Sequence, residues 1–170
     1  MCADRSEVRI VDSSGEAESV SRLLELRLYE FNVGATGFAD GKGFCFTVRH
    51  DHGEIVAGIA GYTWGGGCHI RELWVAEERR GRGLGRALIG AVEREANLRN
   101  CRRVMVSTHS FQAPEFYARL GYVEVARVDG DPTGHANIFL AKPLMQDSKS
   151  SVPAQGRSGS ASPIGDGVYS

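Results

Sequence analysis

A strand-like run that leads through a glycine- and arginine-rich loop into a helix constrains this chain more than any other feature. Residues 70–75 read Ile-Arg-Glu-Leu-Trp-Val, and residues 80–86 read Arg-Gly-Arg-Gly-Leu-Gly-Arg. Apolar residues then recur at helical spacing: Leu84, Ala87, Leu88, Ala91 and Val92. The glycines of the loop therefore lie where a strand turns into a helix.

Such a junction is suited to binding an anion. The first N–H groups of a helix lack intrahelical partners, and the helix dipole places partial positive charge there. Glycine has no Cβ, so a ligand can approach the backbone closely. We interpret the loop as a pyrophosphate site, and its alternative is an ordinary glycine-rich turn. The residues concerned are Arg80, Gly81, Arg82, Gly83, Leu84, Gly85 and Arg86.

Two familiar phosphate-binding motifs do not fit the loop. A dinucleotide fingerprint requires a third glycine where Arg86 stands, and the ribose-binding acid expected about twenty residues later is absent. A Walker loop requires Gly-Lys-Ser or Gly-Lys-Thr, which does not occur in the chain.

Length and composition predict one folded domain with a tail. Of the 170 residues, we assign 1–145 to the domain and interpret the serine-, glycine- and proline-rich residues 146–170 as disordered. A formal net charge of −1 argues against nucleic acid or an anionic membrane as partner. The four cysteines show no metal-ligand spacing, so no metal is expected. A charged N-terminus and the lack of a long apolar run predict a cytoplasmic protein.

The order of elements predicts an α+β fold, an α/β sandwich in which helices cover a mixed sheet. Helices are expected from about residue 15 to Glu30, from 84 to about Arg99, and in a short turn that begins at Pro114. We expect a loop over residues 32–43. Strands are predicted at residues 8–11, 44–49, 55–64, 69–75, 102–108, 122–128 and 138–140.

A second motif follows the glycine-rich loop later in the chain. Residues 116–122 read Phe-Tyr-Ala-Arg-Leu-Gly-Tyr, between the short helix and the next strand. The order Arg-x-x-Gly-x-Gly at residues 80–85, followed later by this segment, resembles the GNAT N-acetyltransferases. The likeness covers the element order of about residues 8–144 and is specific in 72–88 and 108–123. It implies a GNAT-type, mostly antiparallel sheet in which two central parallel strands splay apart to admit acetyl-CoA.

The resemblance also assigns contacts to the co-substrate. The backbone of Leu73, Trp74 and Val75 is expected to pair with the pantetheine amides as an added strand would. Many relatives carry an asparagine near the start of the short helix, where Ser110 stands here. Ser110 or the nearby Gln112 is therefore the candidate for a contact with the pantetheine arm, and a turn or cap residue is the alternative.

Acetyl transfer to an amine requires a base, an oxyanion site and an acid. Tyr117 is the proposed acid, since a phenol is protonated at neutral pH and the resemblance places it near the sulfur. Glu72, expected to be partly buried with a raised pKa, is the favoured base, and His69 is the second candidate. An ideal strand puts these two on opposite faces, and a bulge would change that phase. The alternative role of Glu72 is an ion pair with a nearby arginine.

These features predict an acetyl-CoA-dependent N-acetyltransferase that acts on a primary amine of a small molecule. The alternatives are a protein lysine or N-terminal acetyltransferase, and a non-catalytic acetyl-CoA-binding module. We expect residues 29–38 and the loop 129–135 to shape the acceptor pocket. The family resemblance also makes a homodimer plausible.

Overall fold

A computed structural model describes residues 9–144 of the chain, which build a six-stranded mixed sheet flanked by helices. The elements are α1 (Ala17–Thr36), β1 (Lys42–Arg49), β2 (Ile55–Trp64), β3 (Gly67–Val75), α2 (Leu84–Leu98), β4 (Arg103–His109), α3 (Pro114–Ala118), β5 (Val123–Asp129) and β6 (Ala136–Pro143). Short 3₁₀ turns precede α1 and α2, at Ser14–Glu16 and Glu77–Arg79.

The strand order is β1-β2-β3-β4-β6-β5, so β3 and β4 lie at the centre. These two strands are parallel, and each other neighbouring pair is antiparallel. The predicted fold class is therefore confirmed. Because β3 leads into the glycine loop and β4 leads into α3, both sequence motifs follow the central strands.

The main core lies between α2 and one face of the sheet. The helix buries Leu88, Ile89, Val92 and Ala96, which are four or fewer residues apart and so form one stripe. They belong to one cluster with side chains from the central strands, among them Cys68, Ile70, Val104, Val106, Ile138 and Leu140. This packing fixes the start of α2 relative to the ends of β3 and β4.

Helix α1 contributes no buried residue to this core. Five of its large apolar side chains are exposed, from 52% for Leu23 to 71% for Phe31, while Val20 and Val33 are half-buried. One tie to the sheet runs through Tyr29, whose hydroxyl accepts a hydrogen bond of 3.1 Å from the backbone N–H of Gly41. The apolar stripe that predicted this helix thus faces solvent in the single chain.

Two predicted boundaries at the N-terminal side are wrong. Residues 9–11 are not a strand, while Val8 lies outside the described residues. A short apolar run gives a strand only where a neighbour supplies hydrogen bonds, and within residues 9–144 the strand β1 pairs with β2 alone. Helix α1 continues six residues past Glu30 to Thr36 and so takes up the first part of the predicted loop, 32–43. It ends at Gly37, whose φ of 76° is left-handed and whose N–H bonds the carbonyl of Val33.

The last strand is longer than its apolar residues indicated. β6 spans Ala136–Pro143 instead of 138–140, because it pairs with β4 on one side and β5 on the other. The predicted disordered tail, 146–170, lies outside the described residues. Within residues 9–144, no helix combines the length and the apolar character needed to cross a lipid bilayer.

Candidate active site

The site is a cleft that opens where β3 and β4 stop pairing. The two strands are in register over only four pairs, from Gly67–Arg103 to Ile70–Val106. Beyond this point β3 remains paired with β2 as far as Val75, and β4 remains paired with β6 as far as His109. The facing edges of β3 and β4 therefore carry backbone groups without a strand partner, around a cavity of about 960 Å³. Leu73, Trp74 and Val75, predicted to contact pantetheine, line it.

A bulge in β3 sets which side chains reach the cleft. Gly61 of β2 opposes Ile70 and Ala60 opposes Glu72, so Arg71 is an extra residue on β3. A Cβ on Gly61 would overlap the carbonyl oxygen of His69, so the strand opposite the bulge needs a glycine at this position.

The bulge also reverses the alternation of side chains along β3. His69 opposes Tyr62 and Glu72 opposes Ala60, and these two partners are two residues apart on β2. Since paired residues point to the same side of a sheet, His69 and Glu72 share a face. The ideal-strand expectation of opposite faces is thereby corrected, for the reason that the bulge provides.

The start of α2 presents free backbone donors to the cleft. The helix begins at Leu84 after Gly83, whose φ of 83° is left-handed, and no side chain caps its N-terminus. The N–H groups of Leu84, Gly85 and Arg86 are therefore available for an anion. These residues line the cleft with Arg80, Gly81 and Gly83, while Arg80 Nε also donates to the carbonyl of Val75 at 3.2 Å.

The two sequence motifs meet at Gly85. A Cβ built on this glycine would lie 3.2 Å from the ring of Phe116 in α3. Absence of a side chain at Gly85 thus lets the start of α2 approach the helix that carries Tyr117. The third glycine of the loop therefore also serves close packing between α2 and α3.

Tyr117 lines the cleft although it is only 6% exposed. Its ring packs edge-on against Phe116 and Tyr122, with centroids 5.1 and 5.8 Å away. Burial raises the pKa of its phenol to about 12, because the interior disfavours the tyrosinate. Tyr117 therefore carries its proton throughout the neutral range.

The two candidate bases occupy different environments. Glu72 lines the cleft, but its side chain is 63% exposed and forms an ion pair of 3.6 Å with Arg71. It is not the partly buried carboxyl that was expected. His69 is half-buried, outside the cleft lining, and stacked on Tyr62 with ring centroids 4.8 Å apart. Burial lowers its pKa, so the imidazole is neutral at pH 7.

The polar side chains that follow β4 form hydrogen bonds to nearby backbone groups. Ser110, predicted to contact the pantetheine arm, lies outside the cleft lining. Its hydroxyl accepts a hydrogen bond of 3.1 Å from the N–H of Ala136, which ties the β4 end to β6. Gln112 does line the cleft, and its Oε1 accepts bonds from the N–H of His109 at 2.8 Å and from the hydroxyl of Thr108 at 3.1 Å.

Of the two segments predicted to shape the acceptor pocket, only one borders the cleft. Residues 29–38 do not reach the cleft, because the Phe38 ring lies against Gly65 and its carbonyl accepts from Trp64 Nε1 at 3.0 Å. The loop 129–135 does border it, since His135 contacts the ring of Phe111 at 4.8 Å.

Several residues that line the cleft were not predicted from the sequence, among them Arg71, Phe111 and Arg119. Phe111 is 55% exposed at the end of a core strand, and an apolar residue in that position was the available signal. Arg82 was assigned to the pyrophosphate site but lines a separate, smaller cavity beside the cleft.

Comparisons with known proteins agree with this geometry. The family model described as acetyltransferase (GNAT) matches residues 10–122. Blasticidin-S acetyltransferase of Streptomyces morookaense is 37% identical over 95 residues, which are 55% of this chain and 70% of that protein. An acetyltransferase of Agrobacterium fabrum is 27% identical over 115 residues, or 68% of this chain and 84% of that one. The crystal structure of an acetyltransferase from Bacillus cereus superposes with a TM-score of 0.68 at 29% identity, covering 81% of this chain and 98% of that chain.

Proposed function

Because this chain belongs to the acetyltransferase (GNAT) family and is an acyltransferase that uses acetyl-CoA, we propose that it acetylates a primary amine of a small molecule by direct transfer. The observation that carries the proposal is the cleft between β3 and β4, with an uncapped helix at one end and a buried, protonated Tyr117 in its wall. The cleft offers groups that suit two parts of acetyl-CoA: free N–H groups for its diphosphate, and strand edges without a partner for the amides of its pantetheine arm.

The acetyl donor supplies an activated thioester, and the chain supplies positioning and proton transfer. Tyr117 gives its phenolic proton to the sulfur as the carbon–sulfur bond breaks and the carbon–nitrogen bond forms. The acceptor attacks as the neutral amine and gives one proton to Glu72, directly or through water. Solvent then takes this proton from Glu72 and returns one to Tyr117, which restores both side chains. Glu72 is preferred over His69 because it lines the cleft and His69 does not.

Charge and shape at the cleft mouth favour a cationic acceptor of limited size. The exposed carboxylates of Glu72 and Asp131 would attract an ammonium group, although Glu72 also contacts Arg71 at 3.6 Å. Asp129 in the same loop is already paired with Arg127 at 2.7 Å. Exposed aromatic surface on Trp74 and Phe111, 53% and 55% exposed, offers contact area for a ring or an apolar chain. The relative from Streptomyces morookaense is named for the antibiotic blasticidin S, so amine-bearing antibiotics belong in the first set of acceptors.

Thiol release from acetyl-CoA across a library of amines tests this proposal. The library holds amino acids, polyamines and amine-bearing antibiotics, and mass spectrometry identifies the acetylated product. We expect one chemical class of small amine to give saturable release. Acetylation of peptides alone would assign a protein substrate, and saturable binding of acetyl-CoA without release for any amine would assign a binding module. Either result would overturn the proposal. The domain bounds 1–145 and the homodimer remain predictions.

A further inference from the structure

The smaller cavity beside the cleft is a cationic pocket that the loop motif does not account for. It has a volume of about 300 Å³ and lies between the β1–β2 turn and the loop before α2. Its polar wall comes from Arg49, His50, Asp51, Arg79 and Arg82. Three guanidinium groups therefore face one carboxylate, although the whole chain is close to neutral.

Within the part of the chain that the structure describes, no carboxylate forms an ion pair with the arginines of this pocket. Among residues 9–144, neither Arg79 nor Arg82 forms an ion pair. Arg49 donates to the carbonyl of Gly53 at 2.8 Å, which holds its side chain against the β1–β2 turn while its charge remains unpaired. Like charges gathered in one concave site repel each other, so such a cluster favours a bound anion.

The pocket is continuous with the donor cleft. Arg79 and Leu84 line both cavities, and Leu84 is the first residue of α2. An anion in the small pocket therefore lies beside Leu84, whose own N–H group is one of the three assigned to the diphosphate. Coenzyme A carries one further phosphate near its diphosphate, the monoester on the 3′ oxygen of its ribose.

We infer that this pocket, which we call the 49/82 pocket after Arg49 and Arg82, binds a phosphate monoester, namely the 3′-phosphate of acetyl-CoA. A dianionic monoester suits several guanidinium forks, which supply paired N–H donors as well as charge. Arg82 thus contacts the co-substrate through a different phosphate from Gly83 and Gly85. The inference rests on acetyl-CoA as donor and does not depend on the identity of the acceptor.

Calorimetric titration with acetyl-CoA and with acetyl-dephospho-CoA tests the 49/82 pocket. The protein is the full chain, in phosphate-free buffer of fixed ionic strength. We expect the parent to bind acetyl-CoA about tenfold more tightly than the dephospho form. Arg82→Gln and Arg49→Gln should each weaken acetyl-CoA about three- to tenfold and leave acetyl-dephospho-CoA within twofold.

Two control variants separate this effect from general charge. Arg86→Gln, in the cleft itself, should weaken both ligands to a similar degree. Arg103→Gln, on the exposed start of β4 outside both cavities, should weaken neither. Inorganic phosphate, added against a chloride control of equal ionic strength, should weaken the binding of acetyl-CoA more than that of acetyl-dephospho-CoA, because the second ligand meets phosphate only at the start of α2.

The inference fails if the parent does not distinguish the two donors, or if Arg82→Gln weakens both equally. Circular dichroism of each variant confirms that the fold is intact. This readout needs no acceptor, so a failed amine screen with a clear preference for acetyl-CoA would overturn the proposed function and leave the 49/82 pocket standing.

Discussion

Replacing Tyr117 by phenylalanine removes one oxygen from the cleft wall and tests the proposed proton donor. The ring fits the same space beside Phe116 and Tyr122, so the packing is conserved. A shift of the pKa from 10 to about 12 corresponds to roughly 3 kcal/mol in favour of the protonated phenol. General-acid assistance is worth about 10²–10⁴ in rate, or roughly 2.7–5.4 kcal/mol of barrier. We therefore expect Tyr117→Phe to lower kcat at least 100-fold, with KM for acetyl-CoA changed less than about threefold.

Tyr122→Phe is the matched control, because it removes the same atom from a neighbouring ring. The hydroxyl of Tyr122 lies outside the cleft lining and donates to Glu93 Oε1 at 3.2 Å. Its loss should lower the free energy of unfolding by about 1.5–3 kcal/mol, as for a hydrogen bond to a charged group. We expect kcat to stay within twofold of the parent. Steady-state kinetics and urea unfolding measure both effects.

The pH dependence of the rate provides a second test of Tyr117 as the proton donor. Burial raises the pKa of Tyr117, so the protonated form persists above pH 10 and is lost only as the pH rises through about 12. The rate should therefore not fall near pH 10 through loss of this proton. If Tyr117→Phe retains kcat within twofold of the parent at pH 7–9, Tyr117 is not the donor and the reasoning is refuted.

Three further substitutions test the base, the motif contact and the exposed helix. Glu72→Gln should remove the decrease of kcat/KM at acidic pH, and His69→Gln should retain it, because of the two residues only Glu72 lines the cleft. If kcat/KM of the Glu72 variant still decreases at acidic pH as in the parent, this carboxylate is not the base. In urea unfolding, the Gly85→Ala variant should be about 1–2 kcal/mol less stable than the Gly90→Ala variant. The new methyl group at position 85 meets the aromatic ring of Phe116 at 3.2 Å, whereas the one at position 90 meets the flexible end of Arg94 at 3.4 Å. Equal stabilities would contradict the close packing of the two motifs. Leu28→Ala should change the free energy of unfolding by less than about 0.5 kcal/mol, because Leu28 is 60% exposed; a loss of about 2 kcal/mol would show that this helix face is covered in solution.

The parts of the fold that sequence alone predicted are those that local chemistry determines. The start of α2 follows from Gly83 and an apolar stripe, and the predicted end at Arg99 lies within one residue of Leu98. The boundaries of β2 were predicted without error, because glycine-rich turns flank an apolar run. By contrast, β6 includes Ala136 and Pro143, which disfavour strands, and two neighbouring strands hold them there.

In the candidate site, too, the features that local sequence determines were predicted and those that depend on distant segments were not. Sequence placed Tyr117 and Gly85 near one cleft, because each motif fixes its own short segment. The exposure of Glu72, the separate pocket of Arg82 and the bond between Ser110 and Ala136 each depend on segments far apart in the chain. A bulge at Arg71 decides which side of the sheet Glu72 reaches, and no local residue pattern indicates it.

We expect the main chain to contribute more than the side chains to binding of the acetyl donor. Between residues 71 and 75 the cleft edge of β3 has no strand partner, and the first turn of α2 has no side-chain cap. Backbone groups left open in this way must bond to water or to a ligand, since an unpaired buried donor or acceptor costs about 1–3 kcal/mol. Water can fill both positions in the free enzyme, and an extended amide chain that ends in a diphosphate can replace it at each. Substitutions of Leu73 or Val75 by residues of similar shape should therefore leave donor affinity almost unchanged, whereas a change that closes the splay between β3 and β4 should abolish it.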